Sequence, residues 1–452
     1  MSLVCFPFKV EKVDVVLRNV KIAAQHERVC SVLLVGHSVN QTYKDIEAGI
    51  EQLRRNNELG SVAVEMITQK RLGTKRAGKG DGMNTALLYF LHAHEADNEF
   101  GPALASQPLE RLHFYDADIE SFDSTWITKS EDAADMDYEV IRCYFPRSST
   151  DAQITWQITK VGFSLLWPLS VLPWVQQPLG GELCFTRRAV ELLVSDPRVM
   201  AQSDWGIDTM YTFCCAQNGL SMIEVYLPQG KLHALYGGLR DLFNMLTECF
   251  AAVQSLKMTP IRADSLHRIA PAELVPYSVT SKIGYDVEST LGLLRERWTP
   301  RQEQLLHKYF DQKLVEGLLK AREWPVYAFM DEEAWLQAYE VFLEHFNMED
   351  NDWKELLFKA WVARVLNYTM RHVIRGYDTA MLQLRTMVSD VQRESAKKLI
   401  AQRRGEEQQR IREESEDSDE VATNATTGKP RALRRVPSDN MSLFSDSTGL
   451  SL

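Results

Sequence analysis

Through the first quarter of the chain, short apolar runs alternate with amphipathic ones, and no other feature restricts the fold as much. "LVCFPF" (3–8), "SVLLVGH" (31–37) and "SVAVEMIT" (61–68) read as strands, and a fourth strand ends at Asp116. Between them, "VDVVLRNVKIAAQH" (13–26), "YKDIEAGIEQLRRN" (43–56) and "MNTALLYFLHAHEA" (83–96) place apolar residues at helical spacing. A βαβαβαβ order requires crossover connections, so an α/β unit with a mainly parallel sheet is expected. "YEVIRCYF" (138–145), "GELCFT" (181–186) and "SMIEVYLP" (221–228) add strands, interleaved with helices near 150–167, 187–195 and 205–218. The block closes near residue 260.

From about residue 284 the texture changes to long helices with Trp and Leu stripes, and no strand pattern interrupts them. Thr299 before Pro300 reads as a helix start, and Asp331 as another. The expected division is an α/β unit over 1–260, an all-α unit over 261–385, a charged helix over 386–415 and a disordered tail over 416–452. The tail, "EDSDEVATNATTGKPRALRRVPSDN", lacks apolar periodicity. Within it, "LRRVPS" sets Arg435 three residues before Ser438, a spacing common at phosphorylation sites and equally common by chance.

The fourth strand runs into "RLHFYDADIESF" (111–122). With period two, Leu112, Phe114, Asp116 and Asp118 share one face, and His113, Tyr115, Ala117 and Ile119 the other. Two carboxylates roughly 6–7 Å apart repel by about 2.5 kcal/mol at an effective dielectric of 20, so a positive partner is expected, a hard divalent cation foremost. The D-x-D pattern occurs again at Asp135/Asp137 and Asp417/Asp419, where solvated turns and tail explain it. Only the first pair ends an apolar strand, where open α/β sheets bind their ligands.

A net charge of −11 on 452 residues excludes nucleic-acid binding through bulk attraction. Seven scattered cysteines without a C-x-x-C pair fit a reducing compartment. The most apolar stretch, 161–175, is too short to span a bilayer and holds Pro168 and Pro173. The start shows no signal-peptide pattern, so a cytoplasmic location with no membrane partner is expected. A homo-oligomer is compatible with everything above.

Three further stretches carry chemistry. "QKRLGTKRAGKGDGMNTALL" (69–88) sets Lys70, Arg71, Lys75, Arg76 and Lys79 among glycines before a helix, with Asp81 as its expected cap, and suits a phosphate without being a Walker A loop. In "SDWGIDTMYTF", Asp204 reads as a cap and Asp208 lies one turn in, unfavourable there unless partnered. "PQGKLHALYGGL" is a loop with His233 and Tyr236. A lone His is more often structural than ligating, yet imidazole does join carboxylates on metals such as Mn²⁺.

With these strings assembled, the chain resembles the mannosylglycerate synthases, retaining glycosyltransferases of GT-A fold that move mannose from GDP-mannose to D-glycerate. "FPFK", "RLGT", "GKGDGMNTAL", "HFYDADI", "QPLGGEL", "SDWGIDT" and "LYGGL" carry the resemblance, which spans about residues 1–380. It implies that Pro7, Phe8, Lys9, Val35, Gln69, Lys79, Asp116, Ala117, Leu179, Asp208 and Tyr236 contact GDP-mannose. It places a divalent cation (Mg²⁺, Mn²⁺ or Ca²⁺) on Asp118 and His233, and the acceptor carboxylate on Arg147 and the stretch Ala152, Gln153, Ile154, Thr155. Catalytic roles then fall to Asp208, Asp116 and Lys79. D-lactate and glycolate are further acceptors of the same class. A member of the family has Arg after the metal His where this chain has Ala234, so either a diphosphate contact is weaker here or Lys231 replaces it. The competing expectations are a sugar nucleotidyltransferase, a catalytically silent GDP-sugar-binding protein and a helical scaffold.

Overall fold

The computed structural model describes residues 1–95, 98–233, 237–261, 266–269, 284–320 and 328–427, the stretches 266–269 and 412–427 by backbone alone. Tyr236, Ala234 and the tail from 428, with Ser438, lie outside the described residues. Strands β1 (Ser2–Pro7), β2 (Val29–Gly36), β3 (Ala63–Thr68) and β4 (Arg111–Phe114) are joined through helices α1 (Val13–Ala24), α2 (Gln41–Arg55) and α3 (Lys79–His92). Helix α4 (Ser124–Ala134) leads to β5 (Val140–Tyr144). Later come β6 (Leu183–Thr186), β7 (Met222–Tyr226) and β8 (Leu266–Ile269). The sheet order is β3-β2-β1-β4-β6-β5-β7-β8, with only β6 antiparallel to its neighbours.

This is the mixed, mainly parallel GT-A arrangement expected. β8 continues the sheet past residue 260, where sequence periodicity gives no strand. β1 and β2 are apolar along nearly their whole length because both faces are covered, as parallel sheets require. One core layer holds Val4, Phe6, Val32 and Leu34 with α1, α2 and α4; the other holds Leu3, Cys5, Leu33 and Val35 with α3.

A buried carboxylate ties β1, β4 and α4 together. Glu131, 2 % exposed, accepts hydrogen bonds from Ser2 Oγ, Arg111 Nη1 and the His113 ring at 2.5–2.6 Å. Burial opposes its charge, but His113, Ser2 and Arg111 outweigh that and bring the carboxyl down to about 2. A carboxyl lowered on folding stabilises the fold above its unfolded value and loses that contribution as pH falls towards its folded one. Glu131 therefore contributes about 3 kcal/mol near neutrality that disappears between about pH 5 and pH 2. Glu131→Gln is expected to flatten the acid limb of the stability curve, measured by urea unfolding across that range. An unchanged acid slope would contradict it.

The chain from 124 to 396 is built largely of helices. A π-helical turn, Thr155–Lys160, passes directly into α5 (Val161–Leu166). There follow α6 (Arg187–Ser195), α7 (Pro197–Ala201), α8 (Ile207–Gln217), α9 (Phe243–Ser255), α10 (Val287–Arg295), α11 (Pro300–Tyr309), α12 (Gln312–Lys320), α13 (Glu332–His345), α14 (Asn351–Arg371) and α15 (Tyr377–Thr427). Thr299 and Asp331 cap α11 and α13 as expected, each accepting a backbone N–H of the first turn. Residues 1–396 form one compact unit whose core runs from the sheet into α13 and α14. Trp335 Nε1 and Tyr339 OH donate to the Gln157 and Ile158 carbonyls at 3.0 and 2.8 Å, and Tyr368 OH donates to the Ser149 carbonyl at 2.9 Å. The helical half thus braces the loop that contains Arg147 and Ala152. From Lys397 on, α15 belongs to a second unit, a helix rich in charged residues that continues past 415 to Thr427. Among the described residues no helix is long and apolar enough to cross a membrane.

Candidate active site

The site assembles at the C-terminal ends of adjacent parallel strands. Pro7 ends β1 in register with Val35 of β2, and Phe8 N donates to the Val35 carbonyl at 2.9 Å. Phe8 is buried against Tyr43, with ring centroids 5.8 Å apart, and Lys9 beyond it is exposed. Gln69 follows β3; its amide donates to the Gly78 carbonyl at 3.1 Å and so fixes the start of α3, where Lys79 stands. Asp116 follows β4.

β4 ends at Phe114, two residues short of the expected strand end, and Ala117 and Asp118 lie in a turn. The in-and-out alternation nevertheless persists, because Tyr115, Ala117 and Ile119 are buried in the α1/α4 layer and Asn19 Nδ2 donates to the carbonyls of Ala117 and Ile119. Asp116 and Asp118 are left on the opposite side. The second D-x-D pair is a turn, as expected: Asp135 pairs with Arg28 and Arg111, and Asp137 has φ 64°.

Opposite charges alternate through the cluster. Lys79 Nζ donates to Asp208 Oδ2 at 2.9 Å and stands 3.6 Å from Asp116 Oδ1. Lys231 Nζ reaches Asp116 Oδ2 and Glu182 Oε1, each at 2.5 Å. Burial opposes the charge of both lysines, but the surrounding carboxylates more than offset it and hold both protonated. Burial likewise opposes ionisation of Asp116, yet Lys231 and Lys79 bring its carboxyl far below the usual range. For Asp208 burial wins over Lys79 and the carboxyl is pushed up; its Oδ1 is buried with no hydrogen-bond partner among the described residues. Asp118 is pushed up by burial and then by Asp116.

Among the described residues Asp116, Asp208 and Glu182 are paired with the ammoniums of Lys79 and Lys231, with Arg142 and Arg147 acting from further off, while Asp118 stands outside these pairs. A carboxylate so placed fits a divalent cation. Asp118 and His233 act on each other's charge, and burial, Lys231 and Arg147 push the imidazole down, which favours the neutral ring, the form that ligates metals. Among the described residues no group of three His, Cys, Asp or Glu side chains could hold a metal unaided. Asp118 and His233 would hold the ion, with a ligand's oxygens and water completing the shell.

The basic loop differs from expectation. Arg71 Nη1 is paired with Asp81 at 2.6 Å, and Arg76 grips buried Glu248, whose Oε2 also accepts Trp205 N at 3.1 Å. These guanidiniums hold the loop's shape and are not directed at a phosphate. Asp81 is not the cap of α3 but lies in its first turn, where its Oδ1 accepts the N–H groups of Leu72 and Gly73. Asp204 also precedes its helix: the cap of α8 is Gly206, whose N–H Asp204 accepts at 2.9 Å. Lys231, expected as a substitute at a diphosphate, is engaged by Asp116 and Glu182.

Leu179 lies in a loop held by Arg142 Nη2 at the carbonyls of Gln177 and Pro178 and by Thr212 Oγ1 at Pro178. A Cβ on Gly181 would stand 2.7 Å from Lys79 Nζ and 2.8 Å from Asp116 Oδ1, so a larger residue there would displace the tips of this pair. Arg147 Nε donates to Asp151 Oδ2 at 2.8 Å, and the same oxygen lies 4.0 Å from His233 Nε2. Ala152 is held at φ 55°, a left-handed conformation costly for a residue with Cβ, and its N–H donates to Asp151 Oδ1. Gln153, Ile154 and Thr155 are buried, so a ligand there would meet Arg147 and backbone rather than exposed side chains. Sequence reasoning gave no role to Asp151 or Glu182; a single carboxylate at the edge of an apolar run is a weak signal for either.

The family model described as Mannosylglycerate synthase, GT domain matches residues 2–255, and that described as Mannosylglycerate synthase C-terminal domain matches 279–388. The chain is 55% identical over 399 residues to the mannosylglycerate synthase of Selaginella moellendorffii, covering 88% of this chain and 90% of that one. It is 50% identical over 388 residues to that of Rhodothermus marinus, covering 86% and 94%. Among solved structures, glucosyl-3-phosphoglycerate synthase from Mycobacterium tuberculosis with Mg²⁺ and UDP aligns at 16% identity and TM-score 0.43, over 57% of this chain and 80% of that one.

Proposed function

The chain belongs to the mannosylglycerate synthase family of glycosyltransferases, and from that membership we propose that it transfers mannose from GDP-mannose to the 2-hydroxyl of D-glycerate with retention of configuration. The products are 2-O-α-D-mannosylglycerate and GDP. The observation that supports this reading best is the alternating line Asp208, Lys79, Asp116, Lys231, Glu182 at the ends of the parallel strands.

In this reading Phe8, Val35 and Gln69 receive the nucleotide, and Asp118 with His233 holds a divalent cation. When bound, that cation supplies Lewis-acid stabilisation of the departing diphosphate. Lys79 adds positive potential that needs no reorganisation, because Asp208 and Asp116 already fix its ammonium. Asp208 orients the mannose through the carboxylate oxygen that Lys79 leaves open. Its negative charge also favours the oxocarbenium-like sugar of the transition state. Arg147 clamps the acceptor carboxylate, for which its planar fork is suited, beside the strained turn at Ala152.

Arg147→Ala is expected to raise KM for D-glycerate by about 10–100-fold, the worth of a charge-assisted hydrogen bond. KM for GDP-mannose should stay within about twofold, since Arg147 meets the donor in no step. Initial rates with each substrate varied decide it; equal effects on both would remove Arg147 from the acceptor clamp. The reading as a whole is tested by incubating the pure chain with GDP-mannose, D-glycerate and Mg²⁺. Proton NMR should show an α-anomeric mannosylglycerate signal and equimolar GDP. A β-anomer would overturn retention, and released pyrophosphate would make the protein a nucleotidyltransferase.

A further inference from the structure

Glu182 is 1 % exposed, stands immediately before β6 in the middle of the sheet, and lends its carbonyl to Cys143 N at 3.0 Å. It is therefore rigidly placed. Lys231, whose side chain is 8 % exposed, comes from the loop after β7, two residues ahead of His233. That loop is stitched to the segment after Asp118: Ser121 Oγ donates to the Gly230 carbonyl at 2.8 Å and accepts Leu232 N at 2.9 Å, while Glu120 N donates to the Leu232 carbonyl at 2.6 Å. A buried ion pair adds little stability over well-packed apolar residues of similar size. What this pair does geometrically is join a fixed strand to both a carboxylate of the site and the loop that bears the imidazole.

We propose that Glu182 is a positioning residue: through Lys231 it fixes the Asp116 carboxylate and the His233 loop for a nucleoside diphosphate and its cation. The inference rests on the preceding reading that this site takes a nucleotide-sugar diphosphate. The two residues therefore act as one device, and losing either disables it.

The test is a mutant cycle on the full-length chain, read by calorimetric titration of GDP in the presence of Mn²⁺. Glu182→Gln and Lys231→Met are each expected to weaken the Mn²⁺-supported GDP affinity by about fivefold or more, with the double variant no weaker than Lys231→Met alone. Lys231→Arg, which keeps the charge, should recover part of the Lys231→Met change. In turnover, kcat should fall while KM for D-glycerate stays within about twofold. Should Glu182→Gln fail to fold by circular dichroism, Glu182→Asp, which retracts the carboxylate by one methylene, is expected to give the same GDP shift. Additive effects, or a lowered melting temperature with wild-type GDP binding and kcat, would overturn the proposal. A wild-type chain that binds GDP with Mn²⁺ yet transfers no mannose would overturn the preceding reading and leave the binding cycle to decide this one.

Discussion

Asp118→Ala is expected to lower kcat by at least about 10²–10³-fold, the scale of removing one preorganised electrostatic contact from a transition state. Restoring activity with excess Mg²⁺ should be incomplete, because the alanine offers no ligand atom. Folding should survive, since Asp118 lies in a turn. Its carboxyl is held up by burial and by Asp116, so removing it relieves repulsion, and the melting temperature without metal should hold or rise. Steady-state kinetics with added Mg²⁺ and a thermal melt in chelator check both halves. Wild-type kcat in excess chelator would refute the metal assignment.

Lys79→Met is expected to be costlier to the fold. Lys79 is the cation within hydrogen-bond reach of Asp208, and it also faces Asp116. Removing one partner of a buried pair strands the other charge, a loss of about 3–5 kcal/mol. Asp208, already pushed up by burial, must then take a proton to remain inside. A carboxyl raised on folding binds its proton more tightly in the native state, so stability falls as pH rises through the raised value and recovers as pH drops below it. The deficit of Lys79→Met should therefore shrink on acidification towards pH 5. Lys79→Met combined with Asp208→Asn should regain most of the lost stability at neutral pH and none of the activity. Urea unfolding at several pH values measures this; a deficit independent of pH, or a double variant no more stable than the single, would contradict the ion-pair account.

The parallel half of the sheet was legible because both signals it uses are local: apolar runs for strands covered on both faces, and helical periodicity between them. β8 was not, since four residues at a sheet edge give too short a pattern to stand out. The pair Asp116 and Asp118 was found from its place at a strand end, although the chain turns two residues early, because the alternation of Tyr115, Ala117 and Ile119 into the core outlasts the strand. The basic loop misled in the opposite way. Arg71 and Arg76 look like phosphate ligands in sequence, yet charge in a sequence has no visible partner, and Glu248 lies on a helix far along the chain. Glu182 stayed hidden, and the carboxylate partners of Lys231 with it, for the same reason: their meaning lies in a contact between a strand start and a later loop. The tight turn around Ala152 and the π-helical turn after it have no local signature either, being imposed by Trp335, Tyr339 and Tyr368 from the helical half.

The central claim is that a cation and the donor's diphosphate meet beyond β4, between Asp118 and His233. Crystals grown with Mn²⁺ and GDP-mannose test it through the anomalous signal of the metal. The account predicts one strong peak within coordination distance of an Asp118 oxygen and a His233 nitrogen, in contact with diphosphate oxygens. A peak elsewhere, with GDP bound and Asp116 and Asp118 merely hydrated, would contradict it.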